Sequence, residues 1–130
     1  MKTPDIRSAL DDLLNQQQRP LDDVLAHHFS PNYRQRTNGQ WSDREVFAQH
    51  VRKLREVVAS ARIEVLDELC DGNRYADRHL VHVAKRDGSK VVQEVYLFAE
   101  LDAEGRFARI EETTLMLEGA ESDREMGSMK

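Results

Sequence analysis

Apolar residues recur at helical spacing from the start of the chain. Ile6, Leu10, Leu13 and Leu14 fall on one face of a helix. Thr3 is placed to cap it, and Pro4 suits its first position. Arg19-Pro20 breaks the run, and a short second helix carries Leu21, Val24, Leu25 and His28 before Ser30-Pro31 ends it. Residues 33–37 read as a short strand closed by the turn pair Asn38-Gly39. Ser42-Asp43-Arg44-Glu45 then reads as a capping box. The third helix it opens gathers Val46, Phe47, His50, Val51, Leu54, Val57 and Val58 on one face, with Arg44, Gln49, Arg52 and Arg55 opposite.

From residue 62 the period changes to that of strands. Four runs, about 62–70, 74–86, 89–101 and 106–117, are separated by Asp71-Gly72-Asn73, by Asp87-Gly88 and by residues 102–105, all hairpin signals. Helices first and an antiparallel meander after them indicate an α+β domain with helices on one face of the sheet. A two-residue turn at Asp87-Gly88 pairs Arg86 with Ser89 and sets His79 against Tyr96. A four-residue loop at 102–105 pairs Leu101 with Arg106 and sets Tyr96 against Glu111. Opposed residues share a face. One face is therefore expected to carry the rows Asp77–Phe98–Arg109, His79–Tyr96–Glu111 and Val81–Glu94–Thr113 beneath the helices. The other face shows Ala76, Leu80, Ala84, Val91, Val95, Leu97, Ile110 and Met116. That is too apolar for open water, so the expectation is a homodimer packed through this open sheet face.

Composition narrows the function classes. With 130 residues the chain is read as a single domain over 1–130, with an ordered core at about 5–117 and a polar tail at 118–130 that is expected to fray. The net charge is −5, and the basic excess of residues 31–62 is too interleaved with acids for a nucleic-acid surface. No apolar run approaches the ~18 residues of a spanning helix, and the N-terminal residues lack the apolar core of an export signal. A single cysteine, Cys70, builds no internal disulfide, which fits the cytoplasm. Adjacent His27 and His28 diverge on a helix, and His79 and His82 point to opposite faces of a strand, so no metal site is expected. No dinucleotide, phosphate-loop or serine-hydrolase signature occurs, and no cofactor is expected.

The candidate chemistry is a row and its surroundings. Tyr96 with His79 and Glu111 has the composition to bind a carbonyl oxygen and move a proton; a self-satisfying hydrogen-bond network is the other reading. Glu94 is a candidate base or one half of a salt bridge with an arginine. His50, on the apolar helix face, is a candidate acid–base group or a satisfied core residue. Tyr33, Trp41 and Phe47 flank the expected pocket mouth, either as a clamp for a flat hydrophobic ligand or as core or lid packing, and Phe98, Arg109 and Thr113 complete its lining.

The order of elements resembles the SnoaL-like branch of the nuclear transport factor 2-like superfamily. So do the stretches PNYRQRTNGQWSDREVF, LCDGNRYADRHLVHVAKRDGS and QEVYLFAELDAEGRFARIEE. The resemblance covers about residues 5–117. It implies a cone: a strongly curved, mostly antiparallel sheet wrapped around three N-terminal helices, with one pocket at the open end. By position it places Glu94, Tyr96 and Phe98 on the pocket-facing strand, Gly105 before the last long strand and Phe107 as an inward apolar residue. It implies a small hydrophobic or carbonyl-bearing ligand. The activity expected is isomerisation, cyclisation or dehydration by proton transfer next to a carbonyl, without a cofactor. The alternative is a non-catalytic ligand-binding or dimerisation module. The superfamily's fold hosts both, so fold alone does not choose between them.

Overall fold

The computed structural model describes residues 5–124 and residue 126. Three helices, α1 (Ile6–Leu14), α2 (Leu21–His28) and α3 (Arg44–Val57), lie on the concave face of a six-stranded sheet. Its strands are β1 (Phe29–Thr37), β2 (Gln40–Asp43), β3 (Val58–Asp71), β4 (Arg74–Lys85), β5 (Lys90–Leu101) and β6 (Phe107–Glu118), in the order β2-β1-β6-β5-β4-β3. Among the described strands the β1–β6 pairing alone is parallel. The α+β cone expected above is what the chain forms.

Local chemistry accounts for the element ends. Thr3 and Pro4 lie outside the described residues; Asp5 is the cap of α1 and accepts the N–H of Arg7. Asp43, rather than Ser42, caps α3 by accepting the N–H of Val46 at 2.9 Å. Residues 40–43 pair with β1, a strand that the capping-box reading overlooked. Asn38 and Gly39 both have positive φ, 50° and 86°, as a two-residue hairpin turn of the primed type requires. The strand after α2 starts at Phe29, and Val58 belongs to β3 rather than to the helix.

The register of β4 and β5 differs from the expected one by a single residue. His79 lies opposite Val95, and Tyr96 lies opposite Arg78. The cause is the turn: Gly88, at φ 91°, donates its N–H to the Lys85 carbonyl, and Lys85 N–H reaches the Ser89 carbonyl. The loop therefore has three residues and ends in a left-handed glycine, instead of two residues at Asp87-Gly88. A slip of one turns a strand over. The β5–β6 loop closes the same way at Gly105, with a further irregularity at Glu100/Leu101, so Tyr96 faces Thr113 and Phe98 faces Glu111. That second shift is even, and Glu94, Tyr96, Phe98, Glu111 and Thr113 still share one face. It is the outer one.

The core follows from this. Of the residues expected to meet a second copy, Ala76, Leu80 and Ala84 belong to the convex side, Val91 is buried in a separate cluster with Val58 and Val83, and Val95, Leu97 and Ile110 are buried under the helices. Val95, Leu97 and Ile110 pack with Ile6, Leu13, Val24, Leu25 and Val51, each worth roughly 1.5–3 kcal/mol when buried. Rings of Phe29, Tyr33, Phe47, Phe107 and Tyr75 meet edge to face or tilted at centroid separations of 4.7 to 5.9 Å. Beyond Glu118 the chain turns back: Asp123, at the end of a short 3-10 turn, is buried and bonded to Lys85 at 2.8 Å, and Met126 packs on Val58, Val83 and Val91.

Candidate functional site

A cavity of about 120 Å³ lies between the helices and the concave face of β4, β5 and β6. Its walls are apolar: Leu10, Leu13, Val51, Leu54, Val81, Val95, Leu97 and Ile110, with Phe29 and Phe47 from the aromatic cluster and Met126 from the tail. Alternation along the strands brings a few polar groups into this apolar space: His79 from β4, Gln93 from β5, Glu112 and Thr114 from β6, Tyr33 and Gln35 from β1, and His50 from α3. A smaller crevice, about 20 Å³, shares Gln35 and His50 with it and adds Thr37 and Trp41.

The polar groups form two chains. In the first, the Tyr33 hydroxyl donates to Gln35 Oε1 at 2.7 Å, Gln35 Nε2 donates to Thr37 Oγ1 at 3.0 Å, and the Thr37 hydroxyl donates to Glu112 Oε1 at 3.0 Å. Burial pushes the Glu112 carboxyl above the usual carboxylate range. The Thr37 bond and the field of His79 pull it down, and the charge of Asp77 adds to the rise. Burial, with Glu112 nearby, also raises the Tyr33 phenol. In the second chain, His79, 1% exposed, joins Asp77 through Nδ1 at 2.9 Å, and Asp77 in turn meets the Tyr75 hydroxyl at 3.1 Å. An ionised aspartate on Nδ1 selects the tautomer that leaves Nε2 basic. The two chains meet electrostatically between His79, Asp77 and Glu112.

Of the residues singled out from sequence, His50, His79, Tyr33 and Phe47 line the cavity, and Trp41 stands at the crevice with Arg34 over its ring at 4.8 Å. Six lie elsewhere. Tyr96 and Phe98 are 49% and 72% exposed on the convex face. Glu94 meets Arg78 there at 3.5 Å, Arg109 meets Glu100 at 3.3 Å and Glu111 at 3.8 Å, and Thr113 is exposed beside Tyr96. The one-residue register slip displaced Glu94, Tyr96 and Phe98 to that side, and Glu111, Thr113 and Arg109 went with them. Asp77, Gln35, Thr37 and Glu112 were missed as site residues. The alternation of Val91, Gln93, Val95, Leu97, Ala99 and Leu101 marks the buried face of β5 and, through the ladder, points to Asp77 and Glu112. Among the described residues no group of three or more His, Cys, Asp or Glu side chains is placed to hold a metal ion. No helix among them is long and apolar enough to cross a membrane.

No family model matches the chain. An uncharacterised protein of Schizosaccharomyces pombe is 33% identical over 106 residues, 82% of this chain and 81% of that protein. Among solved structures, a protein of unknown function from Exiguobacterium sp. 255-15, described as NTF2-like, superposes with a TM-score of 0.64 at 21% identity, over 85% of this chain and 99% of that one. IdmH from Streptomyces antibioticus, a proposed polyketide cyclase, superposes with a TM-score of 0.62 at 13% identity, over 82% and 85%.

Proposed function

We propose that the cavity of this chain, which belongs to one family with the fission-yeast protein and has the nuclear transport factor 2-like fold, binds a small, mostly apolar carbonyl compound and moves a proton next to that carbonyl. Structures of the same fold include proposed isomerases, cyclases and hydroxylases, so the fold admits this chemistry without selecting it. The observation that carries the reading is the Asp77–His79 pair buried against apolar walls beside Glu112.

In this reading His79 Nε2 is the base and Asp77 orients its ring. Glu112, whose carboxyl keeps its proton to higher pH than usual, donates from Oε2 to the ligand's carbonyl oxygen, since Oε1 is held by Thr37. A cavity of this size suits a single ring; dry cavities of about 150 Å³ take up benzene. No cofactor enters the reaction. The free, exposed Cys70 agrees with a cytoplasmic setting. On the convex face, Leu69, Phe98, Leu115 and Leu117 are more than half exposed, and this face is where a second copy would dock.

The test is solvent deuterium uptake at the α-carbons of cyclohexanone in D2O. The parent is expected to accelerate uptake and His79→Gln to lose that acceleration while remaining folded. Binding of cyclohexanone with no acceleration in the parent favours the non-catalytic binding module; neither binding nor acceleration rejects the site.

A further inference from the structure

Glu68 and Asp77 stand directly opposite each other on β3 and β4. Like charges in that position repel, and Asp77 is only 7% exposed. One group lies between them: the Tyr75 hydroxyl bonds to Asp77 Oδ2 at 3.1 Å and to Glu68 Oε2 as well. Burial, with the two carboxylates, pushes the phenol far above its ordinary range, so its proton stays on. A hydrogen bond from the backbone of Ile6 fixes its place. A phenol has a single proton. It serves one carboxylate at a time, and the other oxygen of Asp77 is the one that orients His79.

We infer that Tyr75 is a positioning residue that couples His79 to the charge of Glu68, so that an exposed carboxylate near the β3–β4 hairpin regulates the bond orienting the cavity's base. With Glu68 ionised, the phenol proton goes to Glu68, and Asp77 turns its full charge on the imidazole N–H. With Glu68 neutralised, by a proton or by a partner's cation, the phenol turns to Asp77 and weakens that pull. Around His79, β6 presents Glu112 and α3 presents His50 to the same cavity, whereas β5 places Val95 and Gln93 beside it and β3 places Val65. Neither Glu112 nor His50 lies on the path through Tyr75.

The inference rests on His79 being the base, but its test needs no substrate. The His79 Nδ1 proton is followed by NMR near neutral pH in the full chain, in Glu68→Ala, in Tyr75→Phe and in the double variant. Glu68→Ala is expected to move the resonance upfield, toward a weaker hydrogen bond, and the same change made on Tyr75→Phe is expected to move nothing. No movement in Glu68→Ala overturns the coupling. Equal movement in both backgrounds overturns it too, because the effect then passes through space. Glu68 is exposed, so that arm stands even where Tyr75→Phe fails to fold. Loss of the deuterium result with the Glu68→Ala response intact removes the enzymatic reading alone; the reverse removes the coupling alone.

Discussion

On the concave side of β4, β5 and β6 the polar side chains are few, and each of the two hydrogen-bonded chains holds a buried carboxylate, Glu112 in one and Asp77 in the other. On the convex side the same strands carry a ladder of ion pairs, Asp67–Arg78–Glu94 and Glu100–Arg109–Glu111, interleaved with exposed Tyr96 and Phe98. Water screens the outer charges, so they add little to stability. Inside, a carboxylate needs its donor to exist as an ion at all. The difference places the chemistry: both faces own an acid and a tyrosine, but only on the concave face are they buried, and that burial raises both the Glu112 carboxyl and the Tyr33 phenol.

Four experiments bear on that contrast. The largest effect is expected from an inward charge. Leu97→Asp, at a side chain 2% exposed, should cost several kcal/mol and leave little folded protein in urea titrations. Removing one member of the inner pair comes next: Asp77→Ala should cost about 3 kcal/mol by urea unfolding, because the buried His79 loses its partner. Phe98→Asp, on the outer face one residue along β5 from Leu97, should shift stability by no more than about 0.5 kcal/mol and should convert a dimer to monomer by light scattering. An unchanged mass would remove the convex face as an interface.

The smallest effect is one of pH. The folded pKa of Glu112 lies above its ordinary value, so its contribution to stability is fully present below the usual carboxylate range and is lost as pH rises through the raised value. Glu112→Gln has no such loss. Its urea midpoint should therefore gain on the parent's as pH increases from acid to neutral, and parallel curves would contradict the burial of this carboxyl.

Much of this fold is legible in the residues. The helical spacing of Ile6, Leu10, Leu13 and Leu14 and the alternation from Val91 to Leu101 place the elements within a few residues of where they lie. The site was harder to read because it depends on parity rather than on pattern. Asp87-Gly88 is a turn in either register, and whether Gly88 ends a two- or a three-residue loop is decided by backbone hydrogen bonds at Lys85 and Ser89 that composition does not encode. From that one residue follow the wrong facing of Glu94 and Tyr96 and the oversight of Glu112, whereas Asp77 was set on the inner face and given no role there. His50 escaped the error because its position depends on helix spacing alone.

The C-terminal turn closes part of the cavity wall. Asp123 holds Lys85 through one carboxylate oxygen and the Ala120 N–H through the other, while its carbonyl accepts the Gln93 side chain. Met126 is thereby fastened to both strands of the hairpin it covers. Opening the cavity on that side therefore means lifting Met126 off Val58, Val83 and Val91 and breaking the bonds of Asp123 to Lys85 and Gln93.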